Sequence, residues 1–147
     1  MIYLNIGKCR YGEIWLANFH FLSDSSYVKK DNNNQYTITP KKKFVLIISA
    51  NETSLCRNNV LVALITSNLS TKARPNVVFL PSNEKILPED SLIQCSQIFS
   101  INKEDLIDKV ADLPEKYKEK VFVALMIELN FKYYFNGASS DINEEPI

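Results

Sequence analysis

The sequence predicts a β-rich α+β domain, in which short antiparallel strands form a small sandwich or barrel and a packed helix follows. Three observations point there. Two apolar runs, residues 44–48 and 60–65, stop abruptly in the small polar residues Ser49, Asn51, Thr66 and Ser67, as buried strands do. Further strand-length apolar segments recur at short intervals between turn-rich stretches. From Tyr117 onward, Val121, Phe122, Leu125, Met126 and Leu129 recur at helical spacing instead.

The elements follow in order. Residues 13–21 read as a first strand, entered by a turn at Gly12, with Trp15 as a core anchor. Residues 23–43 read as a long exposed loop with almost no apolar content, holding a short strand at 35–39 before Pro40. Strands at 44–49 and 59–66 are joined by a polar turn carrying Asn51, Glu52 and Arg57. The basic turn Lys72-Ala73-Arg74-Pro75 leads into a strand at 76–80, and residues 81–85 form another turn by composition. Residues 91–95 and 97–101 are two strand segments, or one strand broken by a kink or bulge. The remainder reads as helical. Asn102 caps a short turn through residues 105–107, and Asp112 with Glu115 has capping-box spacing around Pro114. A helix over 114–131 then packs its apolar stripe on the strands. Residues 1–135 form one domain, and 136–147 a flexible acidic tail.

Composition excludes several function classes. A chain of 147 residues with 46% hydrophobic content can bury one real core. Its 17 basic and 17 acidic side chains cancel, so any nucleic-acid contact needs a local patch rather than bulk charge. The single histidine, His20, rules out a multi-histidine metal site and reads as an ordinary partly buried side chain. Cys9, Cys56 and Cys95 are widely spaced, odd in number and without a CxxC, which argues against zinc and against a disulfide framework. Residues 1–7 lack a signal-peptide pattern, and no apolar run approaches the ~20 residues of a membrane helix. The expected location is cytoplasmic, with reduced thiols.

The local patch is legible. Lys41, Lys42 and Lys43 precede one strand and hydroxyls end the next, which would line one rim with cations and hydroxyls. Such a rim, with no carboxylate cluster, suits a phosphodiester. Arg57, Lys72 and Arg74 are further candidates for RNA backbone contacts, against the ordinary reading of scattered basic residues as solvated surface. Tyr27 and Tyr36 are candidates for stacking on bases.

Gly12-Glu-Ile-Trp-Leu16, Val45-Leu-Ile-Ile48, Val62-Ala-Leu-Ile-Thr-Ser67, Cys95-Ser-Gln-Ile-Phe-Ser-Ile101 and Lys109-Val-Ala-Asp-Leu113 occur in series. Over about residues 10–131 this series resembles the MazF/PemK family of toxin–antitoxin ribonucleases. The resemblance implies an SH3-like closed antiparallel barrel with a C-terminal amphipathic helix, assembled as a homodimer. It implies cleavage of single-stranded RNA without metal or cofactor, by 2′-hydroxyl attack on the adjacent phosphate, and silencing by an antitoxin protein. It assigns catalysis to Lys43, Thr66 and Ser67, and RNA contacts to Lys41, Lys42 and Gln97. Four features depart from the family pattern, the first being its Gly-x-Glu-Gln signature, for which Gln35 is the nearest candidate but stands too far from Lys43. Lys43-Phe44 stands where the family places Arg-Pro, Phe99 ends the family's Gln-Ile-Arg, and Gln94-Cys95-Ser96 replaces Arg-Cys-Asp. The alternative function is therefore a family member that binds RNA or a protein partner without cleaving.

Overall fold

The computed structural model describes residues 9–19, 28–38, 40–131 and 133. One antiparallel sheet holds six strands: β1 (Glu13–Phe19), β4 (Lys41–Ile47), β5 (Asn59–Thr66), β6 (Val77–Leu80), β7 (Ser91–Asn102) and β8 (Leu106–Asp112). Their order is β6-β7-β5-β4-β1-β8. A separate hairpin pairs β2 (Val28–Lys30) with β3 (Tyr36–Ile38), and the helices are α1 (Asn51–Cys56) and α2 (Glu115–Glu128).

The sheet curls around its contents. Along β4, Val45 and Ile47 enter one apolar cluster with Trp15, Phe19, Val60 and Val62. Leu46 enters another with Ile14, Ile65, Ile93 and, from α2, Tyr117, Val121 and Ala124. Both faces are covered along the inner halves of β4 and β5, residues 45–47 and 62–65, which is why those stretches read as continuous apolar runs rather than alternating ones. On β7 the register jumps, with Ala63 opposite Ile98 but Leu64 opposite Gln94. The extra residues form the bulge anticipated at residue 96 and turn one long strand around the core.

Several expectations are corrected. The sheet is open: β6 and β8 are its edges and are not paired with each other, so the ladders do not close a barrel. α2 packs against β6 and β7 and covers that side of the sheet without a further ladder. The predicted loop at 23–43 holds the β2–β3 hairpin, and its last three residues already belong to β4. The polar turn after β4 contains a short helix, α1. Residues 106–112 are a strand, β8, held by pairing with β1 rather than by any apolar pattern of their own.

The capping box does not form. Pro114 is the N-cap of α2 without a side-chain cap bond, and Asp112 instead pairs with Lys109 at 3.0 Å. The helical stripe splits in two. Tyr117, Val121 and Ala124 face the core, whereas Phe122 and Leu129 are 56% and 49% exposed. His20, Phe21, Tyr27 and the acidic tail lie outside the described residues.

Two features lock the entry and exit of the sheet. Gly12 adopts φ +85°, donates its N–H to the Ile47 carbonyl at 2.9 Å, and accepts from Leu113 N–H at 2.8 Å. Buried Glu13 accepts from the Arg10 N–H at 2.7 Å and Trp15 Nε1 at 3.1 Å, and pairs with Lys109 at 3.0 Å. A buried carboxylate with three partners, one of them cationic, ties β1 to β8.

Candidate functional site: a cleft at the β4–β5 rim

β4 enters the core from solvent, with Lys41 and Lys42 exposed, Lys43 half-buried and Val45 buried. β5 leaves at the same end, from buried Ile65 through half-buried Thr66 to exposed Ser67. Phe44 pairs with Ile65, so the next step of this antiparallel register sets Lys43 opposite Thr66. The lysine–hydroxyl rim is thus a consequence of two strands sharing one register and running out of core together.

A cavity of about 200 Å³ opens there. Phe44 and Ile65 form its apolar base, and Lys42, Lys43, Thr66 and Ser67 bring cations and hydroxyls. The loop before β7 adds Pro88 and Glu89, and the first residue of β7 adds Ser91. The Ser91 hydroxyl donates to the Glu89 carbonyl at 2.8 Å and so fixes this turn. The Asp90 carboxylate accepts from Ser82 N–H at 2.7 Å, and that bond holds its carboxyl below the usual range. Thr66 Oγ1 accepts from Asn68 N–H at 3.1 Å, which leaves the hydroxyl proton available for a ligand.

Glu89 is the residue that sequence reading missed. Pro88-Glu89-Asp90 carries only a turn signal, and nothing in its pattern places it against residues 43 and 66. Glu89 lines the same cavity as the lysines and adds a carboxylate-bearing residue to a rim expected to hold only cations and hydroxyls.

The other candidate residues lie elsewhere. Arg57 precedes β5, at the strand end opposite Thr66. Lys72 sits 3.8 Å from the centre of the Phe79 ring and lines a separate groove of about 810 Å³ between β6 and α2, with Lys116 and Lys120. Arg74 is exposed on the same loop as Lys72, and Gln97 is exposed in the β7 bulge. Neither Arg57, Arg74 nor Gln97 lines the β4–β5 cavity, and Lys41 flanks it one residue beyond Lys42. Tyr36 is 69% exposed on the β2–β3 hairpin, with Lys30 Nζ 5.7 Å from its ring centre. Among the described residues, no three His, Cys, Asp or Glu side chains gather as metal ligands, and no helix is long and apolar enough to cross a membrane.

The family profile described as "PemK-like, MazF-like toxin of type II toxin-antitoxin system" matches residues 10–129. The chain belongs to this family. Endoribonuclease MazF6 of Mycobacterium tuberculosis is 37% identical over 82 residues, covering 55% of this chain and 72% of that protein. Endoribonuclease MazF2 of Mycobacterium bovis matches to the same extent, 37% over 82 residues, again 55% and 72% of the two chains.

Among solved structures, a mycobacterial endoribonuclease in complex with its cognate antitoxin superposes with a TM-score of 0.60 at 17% identity, covering 83% of this chain and 95% of that one. A MazE–MazF structure from Deinococcus radiodurans gives 0.60 at 14% identity, covering 83% and 96%. At such identities these structures establish the shared fold. This family fold carries, in the present chain, a β4–β5 cavity lined by lysine, threonine, serine and glutamate.

Proposed function

We propose that this PemK/MazF-family toxin is an endoribonuclease that cuts single-stranded RNA in the β4–β5 cleft without a metal. The observation that supports the reading is the cavity that Lys43 and Thr66 both line, just beyond the Phe44–Ile65 pair that ends the β4–β5 ladder. The 2′-hydroxyl oxygen attacks the adjacent phosphorus, so the O2′–P bond forms and the P–O5′ bond breaks. The products are a 2′,3′-cyclic phosphate and a free 5′-hydroxyl. Glu89 takes the 2′-hydroxyl proton, and a Lys42 or Lys43 ammonium supplies one to the departing 5′-oxygen. Lys43 faces the charge that grows on the nonbridging oxygens, while the Thr66 and Ser67 hydroxyls donate to them. Lys41 extends the cationic edge along the RNA backbone.

The partners in this reading are single-stranded RNA, an antitoxin protein and a second copy of the chain. Solved relatives of this fold include antitoxin complexes. Phe122, Val123 and Leu129 are exposed on α2, an apolar surface that suits self-association. A second reading, RNA binding without cleavage, is favoured by the departures from the family pattern at Lys43, Phe99 and Gln94-Cys95-Ser96, which remove arginines and an acid.

Incubating the purified protein with a long single-stranded RNA, with and without EDTA, separates the two. The nuclease reading expects EDTA-resistant fragments ending in cyclic phosphate. Bound but intact RNA at stoichiometric protein would replace it with the second.

A further inference from the structure

We propose that the cavity of about 340 Å³ between the end of β1 and the end of β7 is a nucleobase pocket for the RNA cut in the neighbouring cleft, favouring a base with an exocyclic amino group. This rests on the nuclease reading above and names a substrate feature for it. Asn18 comes from β1, Asn59 from β5, Ser100 and Asn102 from β7, and Asp105 from the 3-10 turn that follows β7. Residues from separate strands meet here because the bulged β7 wraps round the core and its following turn packs on β1.

The lining chemistry matches a base edge and not a phosphate. Three side-chain amides each offer a donor pair and an acceptor, a hydroxyl offers both, and Asp105 adds acceptors. No lysine or arginine lines the cavity. Cations position a nucleic-acid backbone, whereas hydrogen-bonding edges read its bases. The Asn59 amide meets Ser100 Oγ only at 3.5 Å, a long bond that a ligand can replace. Half-buried Phe99 flanks the cavity, and Phe19 holds that ring edge-on at 4.9 Å and 83°. A base entering the cavity gains an aromatic neighbour as well as polar partners.

The pocket connects to the cleft through the sheet. Asn18 lines the pocket and is the ladder partner of Lys42, which lines the cleft, and Phe19 pairs with Lys41. Antiparallel partners stand about 5 Å apart. Asn18 is therefore one strand from the cleft lysines. Asn59 and Asn102 instead pair at the end of β5 opposite Thr66, so a base seated among all three belongs to a nucleotide away from the cut bond. Asp105 selects among bases, because a carboxylate accepts from the amino groups of cytosine, adenine or guanine, and uracil has none.

Two measurements test this. The first is NMR titration of the protein with CMP, AMP, GMP and UMP. The Asn59 and Asn102 side-chain amides should shift with the first three nucleotides and least with UMP. The second is the base profile around cut sites in a randomised RNA, compared for wild type, Asn102→Ala and Asp105→Asn, with melting curves to verify folding. Asn102→Ala should weaken the preference at one position by about 5- to 150-fold, the range of one good base contact. Asp105→Asn should lower the discrimination against uracil there, since it removes the acceptor-only carboxylate that selects for an amino group. Side-chain amides unmoved by all four nucleotides, or unchanged profiles in both variants of a protein that cuts, would overturn the pocket and leave the nuclease reading standing. A wild type that neither cuts nor binds RNA removes the nuclease reading, and the pocket falls with it.

Discussion

Lys43 sits where a strand changes from core to solvent, so its charge can be removed with little loss of packing. Lys43→Ala is expected to lower single-turnover cleavage by ~100-fold or more, the usual cost of losing one preorganised donor at a transition-state oxyanion. Lys43→Arg should keep or raise the rate, because a guanidinium grips two oxygens at once. Thr66→Ala and Glu89→Gln should each slow cleavage while leaving the melting temperature nearly unchanged. Equal rates for wild type and Lys43→Ala would point to RNA binding without catalysis. The cysteines permit a separate test. Burial pushes the Cys95 thiol from an ordinary 9.0 up to about 12, and burial likewise raises Cys9 against the opposing charge of Lys103. Neutral-pH alkylation followed by mass spectrometry should therefore label exposed Cys56 first. A folded thiol with a raised pKa holds its proton longer than the unfolded one. The stabilising contribution of Cys95 is thus complete below pH 9.0 and declines as pH rises toward about 12.

Elements differ in how openly the sequence announces them. β4 and β5 are plain because both faces of their inner halves are covered, so the residues there are apolar in unbroken runs. β8 is hidden: an edge strand with mostly exposed side chains, it exists through its ladder to β1, and a ladder is not written in local pattern. α1 is six residues long and is similarly supported from outside. Buried Lys103 donates its ammonium to the Ser54 carbonyl of α1, and its N–H to the Asn58 carbonyl at 2.8 Å. A cation at a helix C-terminus satisfies a carbonyl that the helix itself leaves open. Lys103→Met keeps the aliphatic stem but abandons that carbonyl, and should cost about 1–3 kcal/mol in urea unfolding. Gly12→Ala is expected to destabilise by a similar amount, about 1–2 kcal/mol or more. Its new Cβ would need the left-handed region and would run into the Lys118 side chain.

At the scale of the whole molecule, α2 has two apolar faces and only one core. Tyr117, Val121 and Ala124 are used inside, while Phe122, Val123 and Leu129 remain 56%, 52% and 49% exposed. Exposed apolar area of this kind favours association. Sedimentation at micromolar concentration should show a dimer for wild type, and Phe122→Asp should shift it toward monomer without loss of helical circular dichroism. A strict monomer in wild type would refute the homodimer.

By itself the sequence determined the β-rich class, the central strands, the C-terminal helix and the lysine–hydroxyl rim. Each is a local signal: buried strands must be apolar, the helix must repeat at its own period, and chain leaving the core turns polar. Only the tertiary structure decided which face of α2 is core, that 106–112 is a strand, that the sheet stays open, and that Glu89 joins Lys43 and Thr66. Those depend on register and curl between segments distant along the chain. A one-residue change in register would send every side chain of a strand to its other face, and no single segment records that choice.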